Sequence, residues 1–177
     1  TGYDRNVREA GGGYRTGGTF DAGLDAKVGV TPTLVLDATF RTDFAQVEAD
    51  TQRVNLTRFP IFFPEKRDFF LERIGFTRFG QQELGEVFYS RRIGLSADGE
   101  PVPIVGGARL TGNVGRTEVG VIAIRQDASA GLPETDFYVA RVRHPLGARS
   151  SFGAIFTDRE GGPPGTEWNR AAGLDLD

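Results

Sequence analysis

The sequence of 177 residues contains no cysteine and no methionine, and it has a single histidine. Without cysteine there is no disulfide scaffold, no thiolate metal site and no cysteine nucleophile. His144 has no second histidine or cysteine with which to form a zinc site. We assign no metal ligand, no cofactor and no catalytic residue. Because the sequence begins at Thr1 rather than at a methionine, we expect it to be an internal part of a longer protein.

An excess of charge of one sign is also lacking. The sequence has 21 basic and 24 acidic residues, a net charge of -3. A balance this even gives no positive field to attract nucleic acid, so nucleic acid is not a predicted partner. There is also no run of about 18 consecutive apolar residues, which excludes a membrane protein built from spanning helices. A membrane β-barrel is still possible, because each of its strands needs only about ten residues of alternating apolar and polar character.

The sequence does have a regular alternation of apolar and polar residues. The even positions from Phe20 to Val30 are all apolar, and after a turn at Thr31 and Pro32 the even positions from Leu34 to Phe40 are apolar again. A period of two is typical of β-strands, and it returns in the second half of the chain. The sequence therefore predicts an all-β fold of antiparallel up-and-down (meander) strands. The predicted strands are 17–30, 33–43, 87–95, 103–112, 117–126, 136–143, 150–158 and 168–177.

The length of these strands and of their connections indicates a barrel. About ten residues per strand exceeds the usual length in globular sheets and suffices for a tilted strand to cross a bilayer. Short turns near Gly115 and Gly147 alternate with longer loops at 127–135 and 159–167, as in up-and-down outer-membrane barrels. The 25 glycines fit turns and crowded sheet positions. We expect part of an outer-membrane-type β-barrel, with the lipid bilayer as its partner.

Within the strand at 117–126, both faces carry apolar residues. The sequence favours Gly120, Ile122 and Ile124 as the apolar face, because Arg125 lies on the other one.

A segment without alternation lies between the two halves. It is rich in phenylalanine and in charge, which makes it too aromatic to stay disordered and too charged to face lipid. Pro64 and Glu65 predict a short helix that begins near Pro64. The predicted organisation is one partial barrel domain over 1–177. Its parts are a flexible lead-in at 1–16, a first hairpin at 17–43, a folded, charged and aromatic insert or plug-like segment at 44–86, and meander strands at 87–177.

The candidate functional site is a set of charged residues that cannot lie against lipid and are expected to line or plug a lumen. They are Glu65, Lys66, Arg67, Asp68, Glu72, Arg91, Arg92 and Arg109. The favoured interpretation is an ionic network that ties the insert to the barrel wall, and the alternative is contact with a substrate. Five further charged residues are expected to face the lumen and to be solvated by water: Arg141 and Arg143, and on the other side Asp21, Asp25 and Asp37.

Six segments carry a family resemblance. They are DFAQVEAD at 43–50, VNLTRF at 54–59, FFPEKR at 62–67, FFLE at 69–72, YSRRIG at 89–94 and GGARLTG at 106–112. In this order they resemble the DUF5916 family, from residue 33 to about residue 125. The resemblance implies a large bacterial outer-membrane protein with an N-terminal part similar to a family 9 carbohydrate-binding module, followed by a β-barrel. This chain would be an internal fragment of the barrel, and no residue of it is assigned to sugar binding.

The expected function is passage or docking of a substrate at the bacterial outer membrane rather than catalysis, with a glycan or another small molecule as the substrate. Two alternatives stay open. A secreted β-sandwich that binds carbohydrate would bury the same apolar faces against a second sheet. A carboxylate-dependent enzyme acting on glycans would use acids of the insert such as Glu65 and Glu72.

Overall fold

The computed structural model of the protein describes residues 23–41, 65–81, 85–96, 102–129, 131–162 and 165–177. The strands are β1 (Leu24–Thr31), β2 (Leu34–Phe40), β3 (Gly80–Gln81), β4 (Gly85–Glu86), β5 (Ile104–Val114), β6 (Thr117–Gln126), β7 (Thr135–Pro145), β8 (Ser151–Glu160) and β9 (Trp168–Leu176). One α-helix, α1 (Asp68–Leu71), and two 3₁₀-helices, Ile74–Phe76 and Ser90–Arg92, accompany them.

Seven of these strands form one antiparallel sheet in the order β1-β2-β5-β6-β7-β8-β9, while β3 and β4 pair separately. Each strand of the large sheet pairs with the next one along the chain, apart from the interruption between β2 and β5. The prediction of an all-β meander is confirmed. The predicted lead-in at 1–16 and the beginning of the first predicted strand, 17–22, lie outside the described residues. The helix predicted near Pro64 begins at Asp68, after Arg67 as N-cap.

The strand predicted over 87–95 is wrong. Its centre forms the 3₁₀-helix Ser90–Arg92 instead. The N–H of Ile93 donates to the Ser90 carbonyl at 2.9 Å, which closes the turn. The guanidinium of Arg67 donates to the carbonyls of Ser90 and Ile93, at 2.9 and 2.5 Å, and so holds the segment in this turn. These partners lie 23 and 26 residues apart in the chain, and a local alternation pattern cannot reveal such a contact.

The two ends of the sheet differ in their connections. One end, called the short-turn rim, carries the turns at 32–33, 115–116 and 146–150. The other end, the long-loop rim, carries the connections 41–103, 127–134 and 161–167. The long segment between β2 and β5, residues 41–103, therefore leaves and re-enters the sheet at the long-loop rim. It contains the predicted insert at 44–86, and from here on the whole segment is called the insert.

The sheet has one exposed apolar face. A single row of paired residues crosses all seven strands on it, and every member is apolar: Val28, Leu36, Leu110, Val121, Ala140, Phe156 and Ala172. Eleven large apolar side chains on this face are between 38% and 74% exposed. They are Leu24, Val28, Phe40, Val121, Tyr138, Val142, Phe152, Phe156, Trp168, Leu174 and Leu176. Alternation in sequence has thus produced an apolar surface that no described residue covers.

The insert packs on the opposite face, called the covered face. Phe70 and Ile93 of the insert form one buried cluster with sheet residues, among them Ile122, Ile124 and Val139. Ile122 and Ile124, which the sequence favours as the apolar face of β6, are buried in this cluster. The other face of β6, which carries Val119, Val121 and Ala123, is also apolar and belongs to the exposed face of the sheet. The insert supplies a second apolar environment, which is why both faces of β6 are apolar.

Candidate functional site

Glu65 and Arg67 form an ion pair inside the insert. The guanidinium binds the carboxylate through two hydrogen bonds of 2.8 Å, Nε to Oε1 and Nη2 to Oε2. Their side chains are 4% and 5% exposed. The Ser90 hydroxyl donates to Glu65 Oε2 at 2.5 Å, and the guanidinium lies over the Phe70 ring at 4.3 Å. Since Arg67 also binds the carbonyls of the Ser90–Arg92 turn region, this pair fastens the start of the described insert to its end.

The surroundings of Glu65 fix its protonation. Burial by itself raises the pKa of the carboxyl, but the hydrogen bonds and positive charge of Arg67, together with the Ser90 hydroxyl, outweigh burial and hold the pKa below its ordinary value. Glu65 is therefore a carboxylate at neutral pH. A general acid needs the opposite shift, so this geometry favours a structural role.

Arg109 joins the insert to the sheet. Lys27, Asp37 and Arg109 are consecutive partners in one row across β1, β2 and β5. Arg109 Nη2 lies 2.7 Å from Asp37 Oδ2 and 3.0 Å from Glu72 Oε2. The same guanidinium donates to the carbonyls of Phe69 and Glu72 and stacks on the Phe69 ring at 5.1 Å. We call this group the wall cluster.

The wall cluster is buried at Asp37 and Arg109 and open to solvent at Lys27 and Glu72. The Arg109 side chain is 3% exposed, whereas those of Lys27 and Glu72 are 55% and 52% exposed. Lys27 Nζ lies 2.5 Å from Glu72 Oε2. A hydrogen bond from Lys27, and to a smaller extent one from Arg109, lowers the pKa of Glu72 and keeps its carboxylate charged. Glu72 thus links an exposed amine to a buried guanidinium.

A third ionic contact lies near the other edge of the sheet. Arg141 on β7 binds Asp175 on β9, with Nη2 2.5 Å from Oδ2, and its guanidinium packs 5.0 Å from the Phe79 ring centre. The expectation that Asp37 and Arg141 are solvated by water is wrong. Both are buried, because the insert covers them and each finds an oppositely charged partner.

Residues 73–79 cross the covered face as a strap. Thr111, Gly120, Arg141, Ile155 and Gly173 form one row across β5 to β9. The strap follows this row. Arg73 Nη1 donates to the Thr111 carbonyl at 3.3 Å, and further along the backbone of Phe76 lies on Gly120 and the ring of Phe79 lies on Gly173. A Cβ on either glycine would collide with the strap, so part of the high glycine content gives the insert room to approach the sheet.

The structure separates the eight predicted site residues. Glu65 and Arg67 form the insert pair, and Glu72 and Arg109 belong to the wall cluster. Arg91 is buried, while Lys66, Asp68 and Arg92 are exposed. The side chain of Arg92 has no ion pair with any described residue.

Sequence reasoning missed the partners of these residues. Lys27 and Asp37 complete the wall cluster, Ser90 completes the insert pair, and Asp175 binds Arg141. The polar positions of the first hairpin were the only signal for Lys27 and Asp37. Asp37 and Arg109 lie 72 residues apart in the chain, so their contact depends on the pairing of β2 with β5.

Within the described part of the chain, no group of three or more histidine, aspartate or glutamate side chains is placed to hold a metal ion. No helix in that part is long and apolar enough to cross a membrane.

A comparison with protein families shows to which family the chain belongs. The family model described as "Domain of unknown function (DUF5916)" matches residues 5–113, which is more than half of the 177 residues. The chain belongs to the DUF5916 family. No curated protein and no solved structure matches it. The part of this DUF5916 chain that the family model matches contains the insert pair and the whole wall cluster, whereas the Arg141–Asp175 contact lies beyond it.

Proposed function

We propose that this DUF5916 chain forms part of the wall of a β-barrel in the bacterial outer membrane, with the insert on the inner side, and that the barrel passes or docks a substrate at the cell surface. The observation that carries the proposal is the exposed apolar face. Its apolar row runs unbroken across seven strands, while charged residues such as Arg109 and Arg141 lie on the covered face. Outer-membrane barrels have this division, with apolar residues toward lipid and polar residues toward the lumen.

The size of the apolar face supports contact with lipid. Seven strands about 4.8 Å apart span about 29 Å, and the residues from Leu34 to Phe40 cover about 20 Å along a strand. The projected area is thus roughly 600 Å², at the upper end of the largest apolar patches on soluble monomers. Acyl chains are the partner whose chemistry fits a surface of this size that lacks polar groups in its centre.

The edge of this face at the long-loop rim is ionic and aromatic. Arg125 pairs with Asp136 at 2.8 Å, and Arg170 pairs with Asp158 at 2.9 Å. Trp168 lies in the same row as Arg125 and Asp136, opposite Glu160 on β8, and Arg170 lies in the next row. Aromatic and charged side chains at one level of a sheet fit the headgroup region of a bilayer, above the hydrocarbon that the apolar rows would contact.

The alternatives are less well supported. A carbohydrate-binding sandwich needs a second sheet on the apolar face, and no described residue covers that face. A glycan-active enzyme needs one carboxyl with a raised pKa, whereas those of Glu65 and Glu72 are both lowered. The insert covers the inner face, so passage along this part of the wall requires the insert to move. This favours docking of the substrate on the insert and wall.

Fractionation of cells that express the intact protein tests the membrane placement. We expect the protein in the outer-membrane fraction, resistant to carbonate extraction and folded only in detergent or lipid. Recovery as a soluble, folded monomer would contradict the proposal and favour the sandwich, because a lipid-facing surface is not stable in water.

A further inference from the structure

A cleft of about 270 Å³ lies at the short-turn rim. Arg116 from the turn between β5 and β6 and Arg149 from the turn between β7 and β8 line it, together with Glu118, Arg143 and Ser151. Glu118 and Arg143 are paired across β6 and β7, and Ser151 on β8 lies on the same, covered face of the sheet. The cleft therefore opens on the covered side of the sheet, away from the apolar face.

The arginines of this cleft carry hydrogen-bond donors that the described part of the protein does not use. The side chains of Arg116 and Arg149 are exposed and form no hydrogen bond or ion pair with a described residue. Arg143 is half-exposed and binds Asp177 at 3.2 Å and the Ser151 hydroxyl at 3.0 Å. Among the described residues that line the cleft there are thus three guanidinium groups and a single carboxylate, that of Glu118, which lies 4.0 Å from Arg143.

We propose that this cleft binds the phosphate group of a small soluble molecule. Guanidinium forks match phosphate oxygens in geometry and form strong, charge-assisted hydrogen bonds with them. The volume exceeds that of a phosphate group alone and leaves room for a small organic body. A lipid headgroup would have to approach from the apolar face, whereas the cleft opens on the other side. The phosphate site rests on the cleft itself, whereas the choice of a soluble ligand over a lipid headgroup rests on the proposed membrane placement of the apolar face.

Calorimetric titration of the intact protein in a neutral detergent, with inorganic phosphate as the probe, tests the site. We expect saturable binding, and binding at least about tenfold weaker in the double variant Arg116→Gln/Arg149→Gln, because two charge-assisted contacts are lost. The matched control is Arg78→Gln/Arg92→Gln, which removes the same charge from two exposed insert arginines whose side chains have no ion pair with described residues. The control should bind like the parent.

A third variant reverses the sign of the effect. Glu118→Gln removes a negative charge that lines the cleft 4.0 Å from Arg143, so phosphate should bind more tightly. Thermal melting of each variant shows that it is folded. Absence of saturable binding to the parent, equal weakening in both double variants, or unchanged affinity in Glu118→Gln would overturn the proposal.

Adding phosphatidylglycerol to the detergent separates the two sources of phosphate. If inorganic phosphate binds in the absence of lipid and the lipid does not displace it, the ligand class is a soluble phosphate compound. Displacement by the lipid at low molar fractions would overturn this assignment in favour of a headgroup site.

Discussion

The guanidinium of Arg141 reaches across the backbone of Gly153 to the carboxylate of Asp175, with 2.5 Å between Nη2 and Oδ2. Arg141 lies on β7 and Asp175 on β9, so the contact spans the full width of β8. A Cβ atom at Gly153 would collide with both side chains. The absence of a side chain at this strand position is therefore a condition for the ion pair.

Gly153→Ala should separate Arg141 from Asp175 and lower the free energy of unfolding by about 1–3 kcal/mol, because a buried guanidinium loses its partner. Chemical unfolding in detergent measures this. Gly147→Ala is the matched control, since a Cβ there meets no atom within 4 Å. Equal stability of the two variants would show that the ion pair does not need the glycine.

The strap makes a second prediction about a glycine. A Cβ at Gly173 would lie 2.6 Å from the Phe79 ring, so Gly173→Ala should push the strap off the sheet and lower stability. In a Phe79→Ala background the collision is gone, and the same change should cost less. The double-mutant cycle should give a coupling of about 0.5–3 kcal/mol. Additive effects would mean that Phe79 does not rest on Gly173.

The limits of most sheet strands, and the face of the sheet on which their residues lie, could be predicted from the sequence. The alternation in β1 and β2, with Leu34, Leu36 and Ala38 on one face, predicted a hairpin that the structure contains. Such a prediction is possible because a strand with one apolar face alternates apolar and polar residues in its sequence. The alternation could not show what covers each face. In β6 both faces are apolar, and only the packed insert shows that Ile122 faces inward and Val121 outward.

The candidate site was less predictable than the strands. The sequence treats Arg91, Arg92 and Arg109 as equivalent charges, but the structure buries Arg91 and Arg109 and leaves Arg92 exposed. The difference arises from the register of β2 against β5 and from the turn at Ser90–Arg92. Both depend on contacts between residues far apart in the chain, and local sequence patterns do not predict such contacts.

Removing Arg109 tests the wall cluster. Arg109→Met should destabilise the protein by about 3 kcal/mol, because it leaves the buried Asp37 carboxylate with only Lys27, 3.4 Å away. Adding Asp37→Leu should recover part of this loss, since the stranded charge is then removed. Arg92→Met is the control and should change stability by less than about 0.5 kcal/mol. Similar losses for Arg92→Met and Arg109→Met would contradict the assignment.

Acid should loosen the insert. The pKa of Glu65 in the folded protein is below its ordinary value of 4.5, so its contribution to stability is fully present above that pH and is lost as the pH falls through the lowered pKa. Protease cleavage within 65–96 should therefore increase at low pH. Glu65→Gln should already be cleaved faster at neutral pH and should depend less on acid.

Asp68→Asn is the matched control for the acid experiment, because Asp68 is exposed at the first turn of α1. It should keep the pH dependence of the parent. If Glu65→Gln retained that dependence in full, another carboxyl would control the insert, and the Glu65–Arg67 pair would not be what fastens it.

The central claim is that one face of the sheet meets lipid and the other meets the interior of a barrel. Two neighbouring alanines on β9 test it directly, since Ala172 belongs to the apolar row and Ala171 to the covered face. The chain has no cysteine, so Ala171→Cys and Ala172→Cys each give one labelling site within it. With an environment-sensitive fluorophore on the intact protein in lipid vesicles, we expect a lipid-attached quencher to quench the label at position 172 strongly and the label at position 171 weakly. Equal quenching at both positions, or none at position 172, would contradict the account.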